Sequence, residues 1–426
     1  MVDIVPLALA VTAFIIVIGF LANCLFVRKG VPDMLILIFL GVIFGPVLGV
    51  FDPSAVQGFA PYFAALALVF ILFDGGIGLS IRRVLSHSPR AILLAALGFV
   101  FSVLVVSLFM VFMFNVPLLY GFLFGSIFGG SSSIVVISLA SRIKISEKAA
   151  TTLILESAIT DILCIVISLS IIGVIATGET DLVVVGITIA DKFLIGAAVG
   201  IFLGIVWLFM LRKVSSLPFS YILNLGIILF AYAASEALGG SGALSSLLFG
   251  LILGNEKEIS AVFTLKDKKS KNHNEKTPLA VSKGLKRFEA EIAFLIRTFF
   301  FVFLGIIATI SSLSFLLFGV LLSLLLLAVR YGAVWLSTIK CEIRKETKIM
   351  TVVLTRGLAA AVLATLPAQY GLLYADLFVN LAVVIVVSTA IIATVGVLAV
   401  PRKNGKNPTA KQQRPSTVTP EPKSVE

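Results

Sequence analysis

Apolar runs long enough to cross a lipid bilayer occupy most of this chain. Thirteen of them, punctuated by Gly, Pro and charged residues, cover approximately 4–27, 34–50, 59–80, 91–114, 118–141, 149–174, 182–211, 217–236, 240–254, 289–310, 314–338, 349–368 and 377–400. A helix needs about 20 apolar residues to span the hydrocarbon layer, so the runs read as candidate membrane helices. The run 240–254 is short for a span and 118–141 is interrupted by Gly129-Gly130-Ser131-Ser132-Ser133, and charge placement rather than hydropathy supports counting these two. With 59% hydrophobic and 13% charged residues and a mean hydropathy of +1.13, little soluble surface can be built. The expected fold is therefore an all-α polytopic membrane protein of about 13 transmembrane helices. The first run is too long for a signal-peptide core and is followed by Arg28-Lys29, so it reads as the first membrane helix.

Lys and Arg collect in the cytoplasmic loops of membrane proteins. Here they fall in alternate connections, and of 33 basic residues all but Lys192, Arg297, Arg330 and Arg356 lie there or in the tail. That partition requires an odd number of spans, an N-terminus outside and a C-terminus in the cytoplasm, and it explains the net charge of +11 by topology. No basic patch is interleaved with aromatics on a soluble domain, which excludes a nucleic-acid partner. Cys24, Cys164 and Cys341 are far apart, and His87 and His273 fall in polar connections, so neither a disulfide framework nor a cofactor is expected. The Lys-rich connection of about 255–287 reads as a solvated cytoplasmic loop and 401–426 as a disordered cytoplasmic tail, with contact to anionic membrane lipid or regulation as the alternative.

The third span contains Leu68-Val69-Phe70-Ile71-Leu72-Phe73-Asp74-Gly75-Gly76-Ile77, and the tenth contains Phe299-Phe300-Phe301-Val302-Phe303-Leu304-Gly305-Ile306. Their odd separation predicts two inverted six-helix repeats, about 1–174 and 217–400, joined by a linker helix of about 182–211. The fifth and twelfth spans are then mates. They contain Gly129-Gly130-Ser131-Ser132-Ser133 and Thr355-Arg356-Gly357, which predicts two broken crossing helices. Freed carbonyls at such breaks can coordinate a cation, and Arg356 can compensate the half-helix dipoles. The plainer alternative is that small residues permit close helix packing.

The sixth span carries Glu156-Ser157-Ala158-Ile159-Thr160-Asp161. A charge near the bilayer centre costs at least ~3 kcal/mol, so two carboxylates there mark an ion or proton pathway. Ser157 and Asp161 share a helix face, as do Glu156 and Thr160, whereas Glu156 and Asp161 point roughly 140° apart. Counted from the inner basic loops, Asp161 lies about 19 Å deep, Glu156 about 12 Å and Arg330 about 15 Å. Arg330 is thus at the depth to neutralise Glu156, and a paired Glu and Arg become tolerable in the membrane. Asp161 is then the acid left to exchange a proton for a small cation, against the alternative that it only hydrogen-bonds a neighbouring helix. Asp74 serves either a structural bond or the cytoplasmic funnel. Arg297 snorkels inward or pairs with a nearby acid, and Asp191 and Lys192 pair locally or face an aqueous gap.

Over about residues 1 to 400 the chain resembles the monovalent cation:proton antiporters, specifically the prokaryotic sodium/proton exchangers of the NhaP type. Glu156-Ser157-x-x-Thr160-Asp161 is similar to the family's Glu-Ser-x-x-Asn-Asp, and Arg330 matches the arginine that pairs with that glutamate. Leu72-Phe73-Asp74-x-Gly76 resembles its Leu-Phe-acid-x-Gly motif, and Thr355-Arg356-Gly357-Leu358 its second broken helix. Thr160 replaces the usual Asn, and Ser131-Ser132-Ser133 stands where Thr-Asp-Pro is frequent, resembling the potassium-efflux branch.

The resemblance implies a secondary active transporter, not an enzyme: a multi-pass homodimer of the cell membrane that exchanges sodium or lithium for protons by elevator-type alternating access. Asp161 is expected to bind cation and proton in turn, with Ser157, Thr160 and Ser131 as oxygen donors, so that the sodium ligands are Asp161, Ser157 and Thr160. Glu156 and Arg330 organise the site. Electrogenic relatives carry adjacent acids at this position, whereas Thr160 cannot ionise, so the expected exchange is electroneutral. The alternatives are potassium/proton antiport or potassium efflux, a passive channel, and an intramembrane aspartyl protease, which lacks a second suitably placed acid.

Overall fold

The computed structural model describes residues 4–51, 59–79, 89–132, 145–178, 182–214, 217, 219–264, 281, 283–308 and 313–399. Every regular element among them is helical: α1 (Ile4–Lys29), α2 (Asp33–Val42), α3 (Ala60–Gly78), α4 (Pro89–Phe114), α5 (Leu118–Ile127), α6 (Glu147–Thr177), α7 (Leu182–Val214), α8 (Ser220–Ala237), α9 (Gly242–Gly254), α10 (Glu256–Thr264), α11 (Lys283–Ile307), α12 (Leu313–Ser337), α13 (Thr347–Val352), α14 (Leu358–Gln369) and α15 (Ala375–Ala399). Eight helices among the described residues are long and apolar enough to cross a membrane, and shorter apolar helices accompany them. The protein is an all-α, multi-pass membrane protein.

Local chemistry sets the ends of these helices. Ser146 caps α6 by accepting the Ala149 N–H at 3.3 Å, and Gly178 ends it in the left-handed region at φ 65°, where a side chain is disfavoured. Beyond α2 the helix widens into a π-turn, Ile43–Val47, around Pro46, which has no N–H to offer the helical ladder. Two sequence expectations shift. Among the described residues of the fifth span the helix ends at Ile127 and 128–132 are not helical, while 133–141 lie outside the described residues. The connection expected at 255–287 includes helix α10 and the first turn of α11, because Glu256 anchors it by accepting from Arg212 at 3.4 Å and from the Val281 N–H at 2.9 Å. His87, His273 and the tail lie outside the described residues.

The helices pack into two bundles. One contains α1, α2, α3, α7, α8, α9 and α11; the other contains α4, α5, α6, α12, α13, α14 and α15. In the first, backbones meet through glycine: a Cβ on Gly250 would overlap the Phe73 carbonyl, and one on Gly41 the Val302 carbonyl. Such close crossings gain dispersion and exclude lipid, which cannot drive association by a hydrophobic effect of its own. The two bundles touch mainly where α14 crosses α3, with lesser contacts of α6 to α7 and α9. The site lies along that seam.

Candidate ion-binding site

Two helices lose their regular form at the same place. The chain leaves the α5 helix at Phe128, and Val353 to Gly357 separate α13 from α14. Non-helical backbone at membrane depth must find partners inside the protein, and here the two breaks partner each other. The Ser132 N–H donates to the Thr355 carbonyl at 2.8 Å. The Ser131 N–H donates to Thr160 Oγ1 at 3.3 Å, and the Ser131 carbonyl accepts from Ser157 Oγ at 2.6 Å. Arg356, 2% exposed, donates from Nη1 to the Gly130 carbonyl, while its N–H donates to Thr389 Oγ1 of α15 at 3.1 Å. A guanidinium there meets the carbonyl end of α5, where the helix dipole is negative. Glycine is required for this closeness. A Cβ on Gly130 would stand 2.7 Å from Cys164 Sγ and 3.2 Å from the Thr160 carbonyl, and one on Gly357 would overlap the Ser132 side chain.

Behind the crossing lies an ion pair. Arg330 Nη1 and Nη2 donate to Glu156 Oε1 and Oε2, each at 3.2 Å. Glu156 is 2% and Arg330 6% exposed. The arginine also donates from Nε to the Met350 carbonyl at 3.1 Å, and the carboxylate accepts from Ser131 Oγ at 3.1 and 3.2 Å. The bidentate pair therefore ties α6 and α12 to the α5 break through Ser131 and to α13, just ahead of the second break, through Met350, and its fixed geometry makes a strong charge-assisted contact.

Asp161 points another way. It lines a cavity of about 290 Å³ between the bundles, together with Ser132, Ile154, Ala158 and Gly357 on its own side and Asp74, Leu247, Ala293 and Arg297 opposite. The lining includes Gly78 and Leu79 at the end of α3, so the cavity runs from Asp161 toward the face that bears the basic connections. Ser131, Ser157 and Thr160 are buried behind this wall at 2%, 0% and 1% exposure. Their hydroxyls hold the α5 break against α6, with Thr160 Oγ1 also donating to the Ser157 carbonyl at 3.1 Å. Arg297 pairs with Asp33 at 3.1 Å, one of the two options its sequence left open.

Sequence reasoning passed over Ser132 and left Asp74 undecided, and both line the cavity. A signal for Asp74 was available in Gly75-Gly76: Gly76 lies where α3 meets the Leu247 carbonyl of α9, which fixes the side chain's approach to the seam. On the far side of Asp161, Lys192 and Ser241 line a recess of about 40 Å³ beside Ile165 and Ser170.

Helices that unwind and cross inside a membrane, next to an acid that lines an internal cavity, are the arrangement from which secondary transporters build ion sites. The transmembrane sodium/hydrogen exchanger family model matches residues 8–401, and the chain belongs to that family. It is 29% identical over 378 residues to the K(+)/H(+) antiporter NhaP2 of Shewanella sp. (strain ANA-3), covering 86% of this chain and 61% of that protein. It is 25% identical over 327 residues to Na(+)/H(+) antiporter 1 of Methanocaldococcus jannaschii, covering 72% of this chain and 70% of that one. The chain thus spans about three fifths of the length of the Shewanella relative. The solved sodium proton antiporter MjNhaP1 from Methanocaldococcus jannaschii at pH 8 superposes with a TM-score of 0.70 at 23% identity, covering 92% of this chain and 96% of that one. At that identity the likeness speaks to the fold.

Proposed function

We propose that this protein exchanges a monovalent cation for protons across the cell membrane, with Asp161 binding the two in turn. The observation that carries the reading is the position of Asp161, on the cavity wall and beside the crossing of two broken helices. Ser157 Oγ gives its one hydrogen to the Ser131 carbonyl and keeps its lone pairs for a cation. Thr160 Oγ1 and Ser131 Oγ complete the oxygen set. The Glu156–Arg330 pair fixes its geometry, and Arg356 offsets the dipole of the broken helix.

In this reading the chain is two inverted repeats, with the N-terminus outside and the C-terminus cytoplasmic, and works as a homodimer. The bundle holding α5, α6 and α13–α14 slides against the other, elevator-fashion, and carries the ion. Sodium or lithium is the leading cargo, and exchange is one for one because Thr160, beside Asp161, cannot ionise. Potassium is the second reading, favoured by the Shewanella relative, which is named a K(+)/H(+) antiporter.

Proteoliposomes loaded with a pH dye and given sodium, lithium or potassium gradients test all of this. Asp161→Asn is expected to abolish cation-driven proton movement while the protein still folds, and retained exchange overturns the assignment. A rate that changes with imposed membrane potential overturns one-for-one exchange.

A further inference from the structure

We propose that Glu289 is a second proton-binding site, a carboxyl outside the ion site whose charge acts on the cation cavity through Asp74. It sits in the second turn of α11, 2% exposed. Oε1 accepts from Asn224 Nδ2 at 2.7 Å, and Oε2 is buried with no hydrogen-bond partner. None of the ion pairs among the described residues includes it. The orientation of Asn224 is fixed, because its Oδ1 accepts at 2.6 Å from Trp207 Nε1, and an indole can only donate. Trp207, at the end of this chain of three side chains, belongs to a buried apolar cluster with Phe73, Leu211, Phe249 and Leu285. An anion with one hydrogen bond in such surroundings is costly, whereas a neutral acid is cheap. The bond to Asn224 asks only for an acceptor, which a glutamine would also supply. What an acid adds is the capacity to gain and lose a proton.

The neighbouring charges decide what that proton does. On α3, Asp74 lies within electrostatic reach of Glu289 and lines the cavity that Asp161 lines. Arg297 on α11 lines the same cavity within electrostatic reach of Asp74 while also pairing with Asp33 on α2; Arg212 on α7 pairs with Glu256, and Arg287 with Glu291 at the surface of α11. Tyr221 on α8 packs against Phe288 with tilted rings, their centroids 5.9 Å apart. Glu289 in its charged form therefore adds negative potential on the Asp74 side of the cavity and tightens cation binding in alkaline solution. Protonation in acid removes it.

The coupling to transport rests on the exchange reading above, whereas the proton site does not, and the test separates the two. In infrared spectra of the purified full-length protein, the C=O band of a protonated carboxyl should disappear on alkalinisation. That component should be missing in Glu289→Gln and retained in Asp161→Asn. Asn224→Ala removes the hydrogen bond that favours the anion and should move the midpoint about one pH unit toward alkaline. In proteoliposomes, Glu289→Gln should raise the cation KM roughly three- to tenfold in alkaline solution and leave it unchanged in acid. An unaltered carboxyl band in Glu289→Gln, or a KM–pH curve that superimposes on the parent's, overturns the proposal. If Glu289→Gln does not fold, Asn224→Ala decides alone, and an unmoved midpoint overturns it.

Discussion

Replacing Arg330 by methionine removes three hydrogen bonds at once: two to Glu156, each at 3.2 Å, and one to the Met350 carbonyl at 3.1 Å. The volume stays nearly filled, so the cost is electrostatic. A buried charge stripped of its partner is destabilised by about 3–5 kcal/mol, and about 4 kcal/mol is expected here because Ser131 Oγ still donates to Glu156. Glu156→Gln keeps an acceptor for Arg330 and should cost about 2 kcal/mol. The double variant leaves no unpaired charge and should cost about 3 kcal/mol, half the sum of the single effects, for a coupling of about 3 kcal/mol. The assay is thermal unfolding of the detergent-solubilised protein, followed by the fluorescence of its 2 tryptophans, Trp207 and Trp335. At roughly 2 °C per kcal/mol, Arg330→Met should melt about 8 °C lower and the double variant about 6 °C lower. Transport should be lost in all three, since the pair holds the α5 break through Ser131. Strictly additive losses, or an Arg330→Met protein with the parent's melting temperature and exchange rate, would refute the argument that the pair supports the crossing.

Two further outcomes follow from local geometry. Gly130→Ala pushes a methyl group toward Cys164 Sγ at 2.7 Å, and should destabilise by about 1–3 kcal/mol; adding Cys164→Ala should restore part of the melting temperature, and no restoration would mean the thiol is not the obstacle. At the surface, Lys148 Nζ lies 2.7 Å from Glu342, and its hydrogen bond holds the Glu342 carboxyl below the ordinary carboxylate range. A lowered carboxylate contributes stability above its ordinary range that is lost as pH falls through the folded value. Both partners are exposed, so Lys148→Ala should shift melting only slightly at neutral pH and not at all in strong acid; a gap that persists in acid contradicts this sign.

How far the site could be read in advance differs from residue to residue. Thr355-Arg356-Gly357 announced a break because an arginine beside a glycine has no place in a regular lipid-facing helix, and the chain does leave the helix there. Glu156 and Arg330 could be matched by depth alone, since rise per residue along a helix is fixed. The hydroxyls of Ser157 and Thr160 could be placed near Asp161 but not aimed, because their partners are backbone atoms of a segment whose path depends on another helix. Glu289 raised no signal, as its isolation follows from residues on α7 and α8 that are distant in sequence.

Amino-acid order by itself determined that this chain is a bundle of membrane helices, where those helices weaken, and which acids lie deep. It did so because hydrophobic length, helix propensity and insertion cost are local quantities, legible in a window of some 20 residues. Which break meets which was settled only in three dimensions. There the Ser132 N–H finds the Thr355 carbonyl, Asp161 reaches a cavity that Glu156 does not, and Asp74 faces Asp161 across the seam. Hydrogen bonds and cavities belong to pairs of elements, and their partners are chosen by packing that no single segment contains.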